Sequence, residues 1–432
     1  MMPEGAAHMV LPLVVAVSLL LMLIRPRGIR EAWWISGGAL LLVGFRLVPL
    51  KLAGQAVAKG TDVYLFLMGM MLLSELAREQ GVFDWVSSVA VRGAKGRCSR
   101  LFLLVYGVGT LVTIFMSNDA TAVVLTPAIL TAVRKAKVAP LPYLFACALI
   151  ANAASFVLPI SNPANLVVFH FGMPPLGRWL AAFGVPSLVS IVLTFVVMRI
   201  LFRRELCGSL VGEAGDARLS GNGKVVLAGL ALMIGVLLTA SAMKKDLGLP
   251  TCVAALLITA VVSVRSRSNP IKLAREISWA TLLLVAGLFV MVDAVESQGA
   301  LKLTQQGLAW AWSLGPGVGA LVVGFAVGIA NNIVNNLPLG LIAGGTLQAA
   351  HANGLMANAV LIGVDLGPNL SVTGSLATIL WLMALRKDSR AGEEKLDVSF
   401  WTFLKVGAVA MPVALFGALG SAIVMQLLTG QR

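Results

Sequence analysis

The sequence predicts an all-α polytopic membrane protein built as two inverted five-span repeats, each with a re-entrant hairpin and a broken helix. Three observations lead there. Of 432 residues, 58% are hydrophobic and 12% charged, about half the charged share of an ordinary globular domain. Apolar stretches near the ~20 residues that cross a bilayer recur from end to end, as at 8–24, 180–198, 225–243 and 406–428. A pattern in the first half also returns in the second at a constant offset. Short alternating segments of the kind that build a membrane β-barrel do not appear.

The net charge of +14 is not the footprint of a nucleic-acid binder, because the basic residues cluster in short connectors. That is the positive-inside pattern. The N-terminal stretch lacks a basic leader and a small-residue cleavage site, so it reads as the first span with its N-terminus outside. Arg25, Arg27 and Arg30 then mark a cytoplasmic turn. The second span covers 31–50 and the third 63–76. The basic connector 78–100 is cytoplasmic, with a surface helix around Phe83, Trp85, Val86 and Val89.

The next apolar stretch, about 101–133, ends in Arg134, Lys135 and Lys137 and so leaves on the side where it entered. Its arms are short for full spans, which predicts a hairpin with Ser117, Asn118 and Asp119 at its tip, near mid-membrane. A span at about 141–171 follows, interrupted by Pro159, Ser161, Asn162, Pro163 and Asn165, and a fifth returns over 180–198. The first repeat is therefore 1–204. The polar, Gly-rich segment 205–224 is a cytoplasmic linker, and 225–432 is the second repeat.

"LMGMMLLSELAREQG" (67–81) and "VAGLFVMVDAVESQG" (285–299) align at an offset of 218, Gly69 on Gly287 and Glu75 on Asp293. The same offset carries Asn118 onto Asn336 in "NNIVNNLP". The second half has its own hairpin at about 309–350 and a broken span at about 360–385, interrupted by "DLGPNLSVTGS" (365–375). Each half holds an odd number of spans, so the second is inverted. The proposed external segments carry only Lys51, Lys59, Arg178, Lys244, Lys245, Lys302 and Arg432.

Inverted repeats with broken helices are the architecture of secondary transporters. Irregular backbone is tolerated at membrane depth only where protein or a wet cavity satisfies it. The candidate binding residues are Ser117, Asn118, Asn162, Asn165, Asn335, Asn336, Thr373 and Ser375, with Thr121, Ser161, Asn332 and Asn369 behind them. A charged carboxylate is costly there, so Asp119 and Asp365 are candidate proton carriers. Asp119 reads equally as a cap of the return helix. No Lys or Arg lies in any break, which suits a neutral, polyhydroxylic solute. Glu75 and Asp293 read as gating or structural ion-pair partners, His170 as interfacial and Cys147 as packing. The four cysteines form no disulfide or zinc framework, and neither a metal nor a cofactor is expected. With three histidines and no nucleophile–base pair, an intramembrane enzyme is disfavoured.

At "SNDATAVVLTPA", "SNPANL", "NNIVNNLP" and "DLGPNLSVTGS" the chain resembles the ArsB arsenite efflux permeases of the ion transporter superfamily. The resemblance implies export of arsenite and antimonite across the bacterial inner membrane, coupled to protons, with association with an ArsA-type ATPase as a further implication. Carboxylate transporters of that superfamily carry Ser-Asn-Thr at each hairpin tip. Here the tips read Ser-Asn-Asp and Asn335-Asn336-Leu337, departures that favour protonation of Asp119. Arsenite near neutral pH is mostly a neutral trihydroxide, which Asn and Ser groups can bind as a polyol. Silicic acid, sodium/proton exchange and organic anions are the alternatives on the same scaffold.

Overall fold

A chain this apolar must satisfy its backbone within each segment, and helices do so. The computed structural model describes residues 4–210, 218–267, 269–297, 299, 301–387 and 398–429; among them the regular structure is helical, apart from one isolated bridge between Arg97 and Ser209. Seven helices are by themselves long and apolar enough to cross a membrane, or eight with one bent pair counted as a span.

The first half opens with α1 (Glu4–Ile24) and α2 (Glu31–Gly44), joined by a turn in which Arg25 pairs with Glu31 at 2.7 Å. Next, α3 (Leu50–Lys59) meets α4 (Thr61–Glu79) at a 48° bend. The surface helix expected in the basic connector is α5 (Val82–Gly93), with Phe83 turned inward and Val89 exposed. The hairpin expected at about 101–133 falls on α6 (Cys98–Phe115), a π-helical stretch, Ala120–Leu125, and α7 (Thr126–Lys135). The broken span is α8 (Leu141–Ala153), a 3-10 turn at Pro159–Ser161, and α9 (Pro163–Val168); α10 (Leu176–Leu201) closes the half.

The second half repeats the order: α11 (Gly221–Ala242), α12 (Gly248–Ser266), α13 (Pro270–Glu276), α14 (Trp279–Ser297) and α15 (Leu301–Ser313). Its hairpin is α16 (Pro316–Val334) and α17 (Asn336–Ala349). The broken span is α18 (Leu355–Leu366), two 3-10 turns and α19 (Leu376–Lys387), and α20 (Phe400–Thr429) ends the fold. Inside the apolar segment 309–330, Gly315 at φ 92 and Pro316 start a new helix. The second hairpin therefore begins at Pro316, and residues 309–313 belong to α15. At 18 residues, α6 is also longer than the arm read from the sequence, because it starts in the basic connector at Cys98, and it is by itself long and apolar enough to cross a membrane.

Packing follows the repeat. α4 lies along α12, and α14 along α2. The matched glycines sit at these two crossings. A Cβ on Gly69 would come within 2.9 Å of the Thr251 backbone, and one on Gly287 within 3.2 Å of the Ile35 backbone. Glu75 pairs with Arg78 on its own helix, whereas Asp293 bonds Lys59 of the other half at 2.7 Å. Replacing Lys59 with methionine should cost about 1 kcal/mol, since the lysine is partly exposed and the pair is screened; a lower unfolding midpoint in detergent, against an unchanged control at the exposed Lys51 of the same helix (Lys51→Met), checks this.

In the second half, α16 and the α18 arm of the broken span approach through two Gly-x-x-x-Gly pairs, Gly324 with Gly328 and Gly363 with Gly367. A Cβ on Gly363 would sit 2.6 Å from the Gly324 carbonyl oxygen, and one on Gly367 would strike that of Gly328. Small residues at this spacing let helix backbones touch in a membrane.

Candidate functional site

Four helical arms begin in the interior of the bundle, and each carries its own cap. Ser117 Oγ accepts from Ala120 N–H at 3.1 Å, and Asn162 Oδ1 from Ala164 N–H at 3.0 Å. Asn335, held at φ 79, accepts from Leu337 N–H at 3.5 Å, and Ser375 Oγ from Thr378 N–H at 3.1 Å. Each cap satisfies one of the amides that a helix start leaves free. All four caps are buried.

Residues at and just after these caps meet. Asn118 and Asp119, Asn162 and Pro163, Asn336 and Leu337, and Leu376 and Ala377 line one small cavity, with Leu67 of α4 and Thr281 of α14. Its volume is about 10 Å³, room for about one water. Oδ1 of Asn118 and of Asn336 are both buried without a hydrogen-bond partner among the described residues. These two asparagines are repeat equivalents. Among the described residues, the Asp119 carboxylate also has no hydrogen bond or ion pair, and no Lys or Arg lines the cavity. Helix starts carry partial positive charge and can receive oxygen-rich groups. A larger apolar groove of about 320 Å³ between α15, α16 and α17 does not touch the breaks.

The remaining candidates stand behind the cavity wall. Asp365 is fully buried and accepts from Asn162 Nδ2 at 2.8 Å, so it orients a lining residue. Asn165 donates to the carbonyls of Ser155, Leu158 and Pro159 and holds the first break open. Ser161 donates to Ile114 O at 2.9 Å, which ties the break to the hairpin tip. Thr121 bonds Thr113 at 2.8 Å across the hairpin. In the second break, Thr373 donates to Asn332 O, Ser371 to Asn332 Oδ1, and Asn332 Nδ2 to Gly367 O. Asn369 receives a bond from Asn152 Nδ2 at 2.9 Å and returns one to Leu149 O at 3.0 Å, joining the two broken spans.

Two polar residues were not anticipated. Asn152 was legible as a lone amide in an apolar helix. Thr281, whose hydroxyl also bonds Ser278 at 2.9 Å, looks like any helical threonine. The π-helical stretch beside Asp119 has a local cause. Pro127 has no N–H to offer the Val123 carbonyl, and the Thr126 hydroxyl bonds Thr121 O at 3.0 Å instead. Such widened turns recur at functional sites.

A family model described as citrate transporter, CitMHS, matches residues 18–364. The chain belongs to the CitMHS family. This CitMHS transporter is 26% identical over 435 residues to the arsenical pump membrane protein of Escherichia coli (strain K12), across 94% of the chain and 96% of the relative. It is 22% identical to a putative arsenical pump membrane protein of Bacillus subtilis (strain 168), across 92% and 95%. Its fold matches the crystal structure of the Alcanivorax borkumensis YdaH transporter with a TM-score of 0.60, at 16% identity and over 90% of each chain. The ArsB resemblance carried by the four motifs agrees with these arsenical pump relatives, and the CitMHS protein is a multi-pass membrane transporter.

Proposed function

We propose that the protein is a secondary transporter of the bacterial inner membrane that exports trivalent metalloids, arsenite and antimonite, as neutral hydroxides in exchange for protons. The observation that carries this reading is the donor–acceptor set at the junction of the four arms. Asn118 and Asn336 present unpaired acceptor oxygens. The helix starts present amide donors. A trihydroxide has both O–H donors and oxygen acceptors, and so answers both. No basic side chain stands ready for an anion. Asp119 is the one titratable lining residue, so a proton is the cation that the site can take up and release. Asp365 acts one layer back, through Asn162.

The two hairpins enter from opposite faces, so withdrawal of either tip opens the site to one side only, as alternating access requires. An ArsA-type ATPase working with the protein would meet the basic face, where the Arg-rich connectors lie. The relatives' description as arsenical pumps supports the substrate class. A second reading, transport of an organic anion, draws on the family's description as citrate transporter. Helix N-termini can hold carboxylates, but Asp119 would oppose them.

Respiring everted vesicles decide between these readings. Arsenite should accumulate with the wild-type protein and collapse with a protonophore. Absence of arsenite uptake by folded protein, with uptake of citrate, silicic acid or sodium in its place, would overturn the metalloid assignment. Asn118→Ala and Asn336→Ala should each raise KM roughly five- to tenfold, the scale of one lost hydrogen bond. Initial-rate measurements over a range of arsenite concentrations would show it.

A further inference from the structure

The geometry points to a second, unassigned site: an anion pocket on the basic face that takes the phosphate of an anionic phospholipid. A cavity of about 690 Å³ opens where the α5–α6 loop meets the end of α10. Arg97, Arg199 and Arg203 line it, together with Ser99, Cys207 and Ser209. Its walls are stitched by backbone. Arg97 and Ser209 form the isolated bridge, Leu210 N–H donates to Gly96 O at 3.0 Å, and Cys98 N–H donates to Gly208 O at 3.3 Å.

Three guanidinium groups around one cavity repel each other, and no carboxylate lines it. Among the described residues, none of the three arginines has an ion-pair partner. Ser99 adds the positive end of the 18-residue α6. Guanidinium forks match phosphate oxygens in shape as well as charge. The apolar flank argues for a lipid over a soluble ion. Arg199 lies in the last turn of the spanning helix α10, and the next two residues, Ile200 and Leu201, are 60% and 40% exposed. The ligand therefore meets a cationic pocket and an acyl-chain surface at one level, the signature of headgroup pockets between spans.

Cys207 makes a native reporter, because it is exposed and the other three cysteines are buried. Its rate of labelling by a neutral maleimide would be measured in nanodiscs of phosphatidylglycerol and of phosphatidylcholine. Phosphatidylglycerol should slow labelling roughly tenfold, as for a site about 90% occupied, and R97Q/R199Q/R203Q should abolish the protection. The charge-matched variant R265Q/R267Q/K272Q, on another basic connector, should keep it. Equal rates in the two lipids would overturn the proposal, and so would equal loss of protection in the charge-matched variant. Protection by inorganic phosphate alone in phosphatidylcholine discs would reassign the pocket to a soluble phosphate. The wild-type comparisons decide the matter even if the triple variant fails to fold.

Discussion

Asp119→Asn should reduce energised arsenite uptake roughly a hundredfold or more, the scale for losing a proton-transfer group, while the protein remains folded. The substitution is nearly isosteric. The carboxylate has no protein partner to lose among the described residues, and asparagine is well tolerated at a helix start. The stability change should therefore stay within about 0.5 kcal/mol. Exchange of labelled for unlabelled arsenite at equilibrium needs no net proton movement, and in the variant it should persist. The two vesicle measurements together separate lost coupling from a lost binding site. Full energised uptake by the variant would move the proton to Asp365. Asp365→Asn is a different experiment, because it alters the acceptor that orients Asn162, and it should change substrate affinity as well.

Gly363→Leu should largely prevent assembly of the second repeat. The glycine faces the Gly324 carbonyl at a distance that already excludes a methyl group, and Val327 side-chain atoms stand 3.1 Å from where a Cβ would lie. The obstacle is backbone, which cannot swing aside as a side chain can. The Asn331 amide that bonds Gly363 O at 2.9 Å and Val364 O at 2.8 Å would be pulled out of register as well. Overpacking alone costs about 1–3 kcal/mol, and a buried amide left unpaired adds a similar amount. Size-exclusion yield and unfolding midpoint should both drop sharply. Gly235→Leu on α11, where a Cβ meets nothing within 4 Å, should leave both unchanged.

The breaks were legible because polar residues, Pro and Gly inside apolar runs are costly in a bilayer and need a reason. The repeat was legible because Gly69 and Gly287 serve equivalent crossings between the halves. Which polar residues face the cavity was not legible. Asn118 and Asn336 line it with an oxygen left unpaired among the described residues, while Asn165, Asn332 and Asn369 spend their amides on backbone carbonyls. Composition records that an amide lies at membrane depth; the fold alone decides whether its partner is a carbonyl or a solute. The division of 309–330 into two helices was hidden for a related reason. Pro316 is the single proline of that run, Gly315 is one of five glycines in it, and both residue types are common inside membrane helices.

The crossing of the halves has a consequence for how the chain is made. α4 finds its main partner in α12 and α2 finds its own in α14, while the fully buried Trp381 of α19 donates to Leu144 O of α8 at 3.2 Å. None of these surfaces has its counterpart within its own half. While the ribosome is still reading the first repeat, its spans can be inserted but not docked, and the Gly69 face of α4 waits against lipid. The two halves are repeats in sequence but a single unit in folding, and the cavity exists only once the last helices have been delivered.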